Sequence, residues 1–159
     1  MENATKALFM ATSVFIGLLL LSLGVYMFKT FGDYGAQTTE KLAEKDINEF
    51  NAQFYKYEGQ ETCRAHNIVS VANLAKQNNQ NYGYTEYDKN KKQPYYIQVK
   101  VKNIEENFEE KSQEYYNNFI NQYSLIEGTT DIIYFECTKV TISQDTKRVI
   151  YIEFKKINK

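Results

Sequence analysis

The chain has 159 residues, which is enough for one domain and leaves little room for a second. Its formal net charge is −1 and its pI is about 5.9, so the basic surface that nucleic-acid-binding proteins need is not expected. Fourteen Tyr and ten Phe beside a single Pro indicate a folded body and not a Pro-rich flexible stalk.

The first element is an apolar segment, Ala7–Phe28, whose 22 residues carry no charge. A helix of this length reaches about 33 Å, enough to cross a hydrocarbon core that is about 30 Å thick. Lys6 and Lys29 bracket the segment. We predict a short tail and one transmembrane helix over residues 1–30, in contact with the lipid bilayer. The alternative is a signal peptide cleaved after Gly24, although the apolar regions of signal peptides are only about 7–15 residues long.

Small residues form a stripe along one side of this helix, at Ser13, Gly17 and Gly24. Such stripes let membrane helices approach closely, so we predict that these residues pack against sister helices. The alternative is that they reflect only the general abundance of small residues in membrane helices.

The remaining residues, 31–159, are predicted to form a soluble α+β domain. Residues 36–57 have apolar side chains at helical spacing and predict an amphipathic extension of the N-terminal helix, which the intervening glycines either bend or interrupt. A second helix is predicted at Glu61–Lys76. The Asn/Gln-rich stretch Gln77–Tyr84 is expected to be a surface loop, and Tyr95–Lys102 alternates as a strand does.

A third helix is predicted after this strand, because Asn103 and Glu106 resemble a capping box. Its buried side would hold Ile104, Phe108, Tyr115 and Phe119.

Two strands, Asp131–Ile142 and Arg148–Lys155, flank a polar turn and predict a hairpin. Three side chains of the second strand are expected to face the core: Ile150, Ile152 and Phe154. The alternation of the first strand changes phase near Thr138–Val140, which predicts a β-bulge. The predicted fold is therefore a long N-terminal helix, with a transmembrane and an amphipathic half, and two further helices packed with a small three-stranded antiparallel or mixed sheet.

Cys63 and Cys137 are both expected to face the core, since Cys137 is in phase with Ile133 and Phe135. A disulfide between them would close a loop of about 75 residues and stabilise the domain by about 4.5 kcal/mol. Two buried thiols are the alternative. Disulfides persist outside the cytoplasm, whereas lysines on both sides of the span give no clear orientation. We expect a single-pass cell-membrane protein with an extracellular C-terminal domain.

No catalytic, cofactor or metal site is predicted. Cys63 and His66 are close in sequence, but zinc needs three or four protein ligands and the chain has one other Cys and no other His. A dense acidic patch lies at the predicted start of the third helix: Glu105, Glu106, Glu109 and Glu110. Carboxylates there complement the helix dipole, and this is the role we expect; cation binding and paired acid–base chemistry are the alternatives. Motifs for phosphate binding or a nucleophilic serine are absent from the sequence, and we expect a protein that is not an enzyme.

The order of elements resembles a type IV pilin or pseudopilin: a short tail, an apolar half-helix, an amphipathic half-helix and a small sheet domain. In that family the apolar half sits first in the bilayer and then in the filament core. The resemblance implies a non-enzymatic subunit or accessory of a bacterial pilus or secretion apparatus that acts by helix packing and self-association. The cleavage motif of pilins is missing, because Glu2 precedes the apolar run and does not lie within it.

Three segments are similar to short, uncharacterised bacterial membrane-anchored proteins: Met1–Met10, Glu49–Tyr57 and Asn67–Asn79. Some of these proteins accompany pilus-type secretion machinery. The resemblance transfers no functional residue. An alternative function is a monomeric membrane-anchored domain that binds a partner protein or scaffolds a membrane complex.

Overall fold

The computed structural model describes residues 2–88, 91–125, 128 and 131–157. Its fold is α+β, as predicted, with three α-helices, one 3₁₀ turn and three strands among these residues. In chain order the elements are α1 (Glu2–Tyr55), α2 (Ala65–Asn81), β1 (Gln98–Lys102), the 3₁₀ turn (Phe108–Glu110), α3 (Gln113–Tyr123), β2 (Phe135–Ile142) and β3 (Val149–Lys156). The chain divides into an N-terminal unit, Met1–Asp46, and a C-terminal unit, Ile47–Lys159.

Helix α1 runs without a break through both halves of the predicted long helix. Gly32 and Gly35 lie inside it, although each glycine costs about 1 kcal/mol relative to alanine in a helix. The large apolar side chains of the N-terminal unit, from Leu8 to Phe31, are exposed. The last turns of α1 belong to the C-terminal unit, where Asn51 and Phe54 are buried.

Helix α2 begins later than predicted, because Cys63 before it pairs with Phe135 of β2, and it ends later because tertiary contacts hold its polar end. Asn78 and Asn79, which were expected in a surface loop, are buried in its last turn. The Asn78 amide donates to the Tyr95 carbonyl at 2.7 Å, and the Asn79 amide donates to the Ile97 carbonyl at 3.0 Å. Because both buried side-chain amides are hydrogen-bonded, the two asparagines can occupy the last turn of the helix without leaving an unsatisfied polar group.

The prediction of a third helix beginning near Asn103 is wrong. Asn103 has φ 64° and belongs to a turn after β1, a left-handed conformation that asparagine tolerates better than most residues. Helix α3 begins at Gln113, where the Ser112 hydroxyl accepts a hydrogen bond from the Tyr115 backbone N–H at 3.2 Å. The fully buried tyrosine of α3 is Tyr116 and not Tyr115.

The sheet is mixed, with the order β1-β3-β2. Strand β3 lies in the centre, parallel to β1 and antiparallel to β2, so the predicted hairpin is confirmed. The register shifts between Cys137 and Lys139, which confirms the predicted bulge. A second shift leaves Ile150 of β3 as an extra residue, because Thr141 pairs with Tyr151 and Ile142 pairs with Val149. Val149 therefore takes the buried position that was expected for Ile150.

One hydrophobic core fills the C-terminal unit and joins α1, α2, α3 and the sheet. Its largest fully buried side chains include Phe54, Ile68, Ile97, Phe108, Tyr116, Phe135, Ile152 and Phe154. Aromatic rings cluster at one end of it, where Phe119 lies 4.7 Å from Phe108 and 5.9 Å from Phe135 between ring centroids. Edge-to-face and tilted pairs at these separations stabilise a core beyond their buried area.

The outer edge of β1 is covered by groups from this same chain. The backbone N–H of Ile97 donates to the Asn79 side chain at 2.8 Å, and that of Val99 donates to the Glu109 carboxyl group at 2.7 Å. The N–H of Val101 donates to the Glu105 carbonyl at 2.8 Å. An uncovered edge strand invites pairing with another chain, and these three bonds occupy the donors that such pairing needs.

Candidate functional site

The N-terminal part of α1 is long and apolar enough to cross a membrane. Of the three predicted packing residues, Ser13 directs its hydroxyl to the Phe9 carbonyl of the same helix at 2.8 Å. Gly17 and Gly24 have no described side chain or outside backbone within 4 Å of where a Cβ would stand. The stripe is therefore open along its length among the described residues, and its packing against sister helices stays a prediction.

The two cysteines are buried free thiols, and the predicted disulfide between them is not formed. Cys63 pairs in antiparallel fashion with Phe135, through N–H to carbonyl bonds of 3.1 and 2.7 Å, and Cys137 lies two residues further along β2. Burial raises the pKa of Cys137, and the neighbouring Cys63 adds to this rise, so the two thiols lie near each other in the core without a bond between them.

His66 is exposed on α2, whereas Cys63 is buried. Among residues 2–88, 91–125, 128 and 131–157, no group of three or more His, Cys, Asp or Glu side chains has an arrangement suited to a metal ion. The absence of a cofactor and of catalysis stays a prediction.

The acidic patch does not lie at the start of α3, which begins at Gln113, and it is split between solvent and the core. Glu109 is 1% exposed, because the 3₁₀ turn directs it inward between β1 and α2. The other three keep contact with solvent. Two of them form ion pairs, Glu106 with Lys100 at 2.9 Å and Glu105 with Lys111 at 2.8 Å.

Glu109 sits in a network that we call the carboxyl cluster: Glu109, Glu110 and Tyr96. The Tyr96 hydroxyl oxygen lies 2.8 Å from Oε1 of Glu109 and 2.8 Å from Oε1 of Glu110. The second oxygen of Glu109 accepts the N–H of Val99, and Glu110 accepts the N–H of Tyr87 at 2.7 Å. The cluster thus joins the start of β1, the loop that precedes it and the 3₁₀ turn.

Two groups of the carboxyl cluster, Glu109 and Tyr96, lie in surroundings that favour their neutral forms. Burial raises the pKa of Glu109 to about 7, and the nearby Glu110 charge adds to this, while the hydrogen bonds from Val99 and Tyr96 oppose it. Burial, followed by the two neighbouring carboxyl groups, raises the pKa of Tyr96 well above its usual value. A carboxyl group whose pKa lies near neutrality beside a cavity is typical of functional sites, although structural networks also produce such shifts.

A small cavity of about 120 Å³ opens beside the carboxyl cluster. It is lined by Lys76, Asn79, Gln80, Tyr84, Thr85, Tyr96, Glu109 and Glu110. The Lys76 ammonium donates to the Lys111 carbonyl at 2.8 Å, so it does not form an ion pair with the cluster. The arrangement can hold and release a proton, but the cavity is smaller than pockets for drug-sized ligands, which are about 300–1,000 Å³.

A second concave surface, the Arg148 groove, lies between α1 and α2 within the C-terminal unit. It has a volume of about 330 Å³ and is lined by Phe50, Gln53, Leu74, Gln77, Asn78, Asn81, Tyr82 and Arg148. The Arg148 guanidinium stacks 3.8 Å from the ring centroid of Phe50 and donates to the Asn78 side chain at 3.2 Å. The lining of this groove combines aromatic, amide and cationic groups and carries no carboxylate.

Comparison with protein-family models, with curated proteins and with solved structures finds no match. What defines the class of this protein is therefore its own architecture: an α+β unit joined to a helix that is long and apolar enough to span a membrane.

Proposed function

We propose that this chain is a non-enzymatic, membrane-anchored subunit or accessory of a bacterial pilus or secretion apparatus, with pilin-like architecture. The observation that carries the proposal is the continuity of α1 from Glu2 to Tyr55. One helix supplies an apolar stretch without side-chain partners in the N-terminal unit and two buried residues, Asn51 and Phe54, in the C-terminal unit. The same helix thus contributes residues both to the apolar stretch and to the core of the C-terminal unit.

Assembly through helix packing is supported by the open stripe at Ser13, Gly17 and Gly24. In a bilayer, association is driven by close van der Waals contact and not by the hydrophobic effect, which favours stripes of this kind. Assembly through strand exchange is disfavoured, because the outer edge of β1 is occupied by Asn79, Glu109 and Glu105.

In this proposal the C-terminal unit lies outside the cell, on the cell surface. An oxidising environment would then favour a disulfide between Cys63 and Cys137, which are buried free thiols in this structure. Protease added to intact cells tests this orientation: digestion of the C-terminal unit agrees with it, and protection until the cells are lysed contradicts it.

The alternative function, a monomeric anchored domain that binds or scaffolds a partner protein, is favoured by the Arg148 groove. Its size lies at the lower end of the range for binding pockets, and its guanidinium is fixed in orientation by Phe50 and Asn78.

A shear experiment on the native host separates the two functions. Cells are sheared, and the released fraction is examined by electron microscopy with an antibody to the C-terminal unit. Thin fibres that carry the epitope support the assembly function. Epitope found only in the membrane fraction, without fibres, favours the anchored binding domain.

Replacement of Gly17 by Leu tests whether the stripe drives assembly. A leucine there places a bulky side chain where helices would meet, so crosslinked oligomers of the full chain in membranes should be lost. Ser22→Leu is the matched control, because residue 22 lies about 140° around the helix from residue 17. Equal loss in both variants, or oligomers that persist in Gly17→Leu, would contradict packing through this stripe.

A further inference from the structure

The hydrogen atoms available in the carboxyl cluster are too few for two ionised carboxylates. The Tyr96 hydroxyl lies at hydrogen-bond distance from both Glu109 and Glu110, 2.8 Å in each case. A phenol carries a single hydrogen, and an ionised carboxylate only accepts. If both acids were charged, one of the two contacts would bring oxygen lone pairs together without a hydrogen between them.

The missing hydrogen belongs on Glu109. Its carboxyl group is buried, whereas Glu110 is exposed, and burial disfavours the charged form. With the proton on Oε1, Glu109 donates to the Tyr96 oxygen and Tyr96 donates to Glu110, while the other oxygen of Glu109 still accepts from Val99. Every contact of the cluster then contains one hydrogen. The raised pKa of Glu109, about 7, agrees with this arrangement.

We propose that Glu109 and Glu110 hold one carboxyl proton between them through Tyr96, and that release of this proton uncovers the outer edge of β1. The carboxyl cluster is therefore a pH-sensitive clasp, by which we mean that it covers the outer edge of β1 only while it holds this proton. This inference does not depend on the proposed function.

The groups that face Glu109 from neighbouring elements do not neutralise it. Lys76 of α2 is bound to the Lys111 carbonyl, and the Lys111 ammonium pairs with Glu105. The Tyr116 hydroxyl of α3 lies 2.9 Å from the Phe108 carbonyl and 3.2 Å from the Glu109 carbonyl, so its single hydrogen is directed at these backbone acceptors. Tyr84 lines the cavity without a hydrogen bond to Glu109 among the described contacts.

Release of the proton has a structural consequence at Val99. An ionised Glu109 is a buried charge that faces Glu110 across one phenol, which favours its movement toward water. Since Glu109 accepts the N–H of Val99, its departure leaves that backbone donor free on the edge strand. The clasp thus links proton concentration to the exposure of a strand edge that another chain could pair with.

The test is carbon-detected NMR on the full chain in detergent micelles, with ¹³C-labelled glutamate. A neutral Glu109 carboxyl at pH 5.5 that loses its proton near pH 7 is the expected result. Glu110→Gln should lower the pH of this transition by about one unit or more, because Tyr96 is then free to donate to Glu109. Glu106→Gln, an exposed carboxylate that pairs with Lys100, is the matched control and should leave it unchanged.

Hydrogen exchange at the Val99 amide reports whether the clasp opens. Glu109→Gln mimics the protonated acid, since its amide donates to Tyr96 and its oxygen accepts from Val99. Relative to this variant, the opening constant at Val99 in the unmodified chain should rise about 40-fold from pH 5 to pH 7 and level off above about pH 8. The opening constant at the Ile152 amide in the central strand should not rise over this pH range.

Three outcomes overturn the proposal. If the Glu109 carboxyl group is already ionised at pH 5.5, the cluster does not hold a proton. If Glu110→Gln does not change the pH of the transition, Glu109 and Glu110 do not share a proton through Tyr96. A rise in exchange that is equal at Val99 and Ile152 means that the whole unit unfolds and that the edge is not opened locally.

Discussion

The side-chain amide of Asn51 in α1 pairs with the backbone beside Val149 in β3 as one strand pairs with another. Its nitrogen donates to the Lys147 carbonyl at 2.7 Å, and its oxygen accepts the N–H of Val149 at 2.9 Å. Asn51 is 7% exposed, so both bonds are shielded from water. This one side chain fixes the end of α1 against the turn that leads into β3.

Replacement of Asn51 by Ala should lower the free energy of unfolding by about 2 kcal/mol, because a buried donor and a buried acceptor lose their partner. Urea unfolding followed by circular dichroism measures the change. Asn48→Ala, on an exposed position of the same helix, should have no more than a small effect. Equal effects in the two variants would mean that helix propensity, and not the pairing, accounts for the loss.

Phe54→Ala should lower the free energy of unfolding by about 3–5 kcal/mol, because Phe54 is fully buried and its loss leaves a cavity in the core. The neighbouring Tyr55 is 37% exposed, so Tyr55→Ala should cost much less. The same urea titration compares them. A small effect of Phe54→Ala would show that the last turns of α1 contribute little to the stability of the C-terminal unit.

The stability of the chain should fall as pH rises from about 4.5 to about 7. Glu109 has a raised pKa of about 7 in the folded chain, so the folded state binds more protons than the unfolded state over this range. The contribution is complete below the usual glutamate pKa and is lost through pH 7, a difference of about 3 kcal/mol. Glu109→Gln should remove this slope and be the more stable protein at pH 8. Parallel pH profiles for the two proteins would contradict the assignment.

Alkylation of Cys63 and Cys137 should be slow in the folded chain and fast in urea. Burial raises the pKa of the Cys137 thiol from 9.0 to about 12, so the reactive thiolate is about 1,000-fold scarcer at neutral pH. Burial also raises the pKa of Cys63. Mass spectrometry after iodoacetamide treatment without reductant should find two alkyl groups only after unfolding. Protein from intact cells that takes up none even in urea would instead contain the disulfide.

Local sequence patterns predict the elements whose side chains alternate or repeat regularly. The 22 uncharged residues of Ala7–Phe28 lie within α1, and the hairpin of β2 and β3 follows from two alternating segments around a polar turn. The change of phase near Thr138 correctly predicts a bulge, because an extra residue reverses the inward and outward positions. The order of strands and the parallel pairing of β1 with β3 required the structure, since sequence alternation does not identify partners.

Polar side chains that are buried account for the main errors. The sequence predicts Asn78 and Asn79 in a loop and Glu109 at a helix start, whereas all three side chains are buried. Their partners, backbone groups near Tyr95, Ile97 and Val99, are 10 to 18 residues away in sequence. No periodic signal marks such pairs, so the carboxyl cluster could not be identified before the chain was folded.

The central strand of the sheet is also the last of its strands to be synthesised. Neither β1 nor β2 has a strand partner within the sheet until β3 is made, because both pair with β3 and not with each other. About 100 residues separate the end of α1 from the end of β3, which takes roughly 5–20 s to translate. During that time α1 is complete while the sheet is not. Insertion of the apolar helix into a bilayer can therefore precede folding of the C-terminal unit, and a nascent chain halted before Val149 would expose two unpaired strands to the cell's quality control.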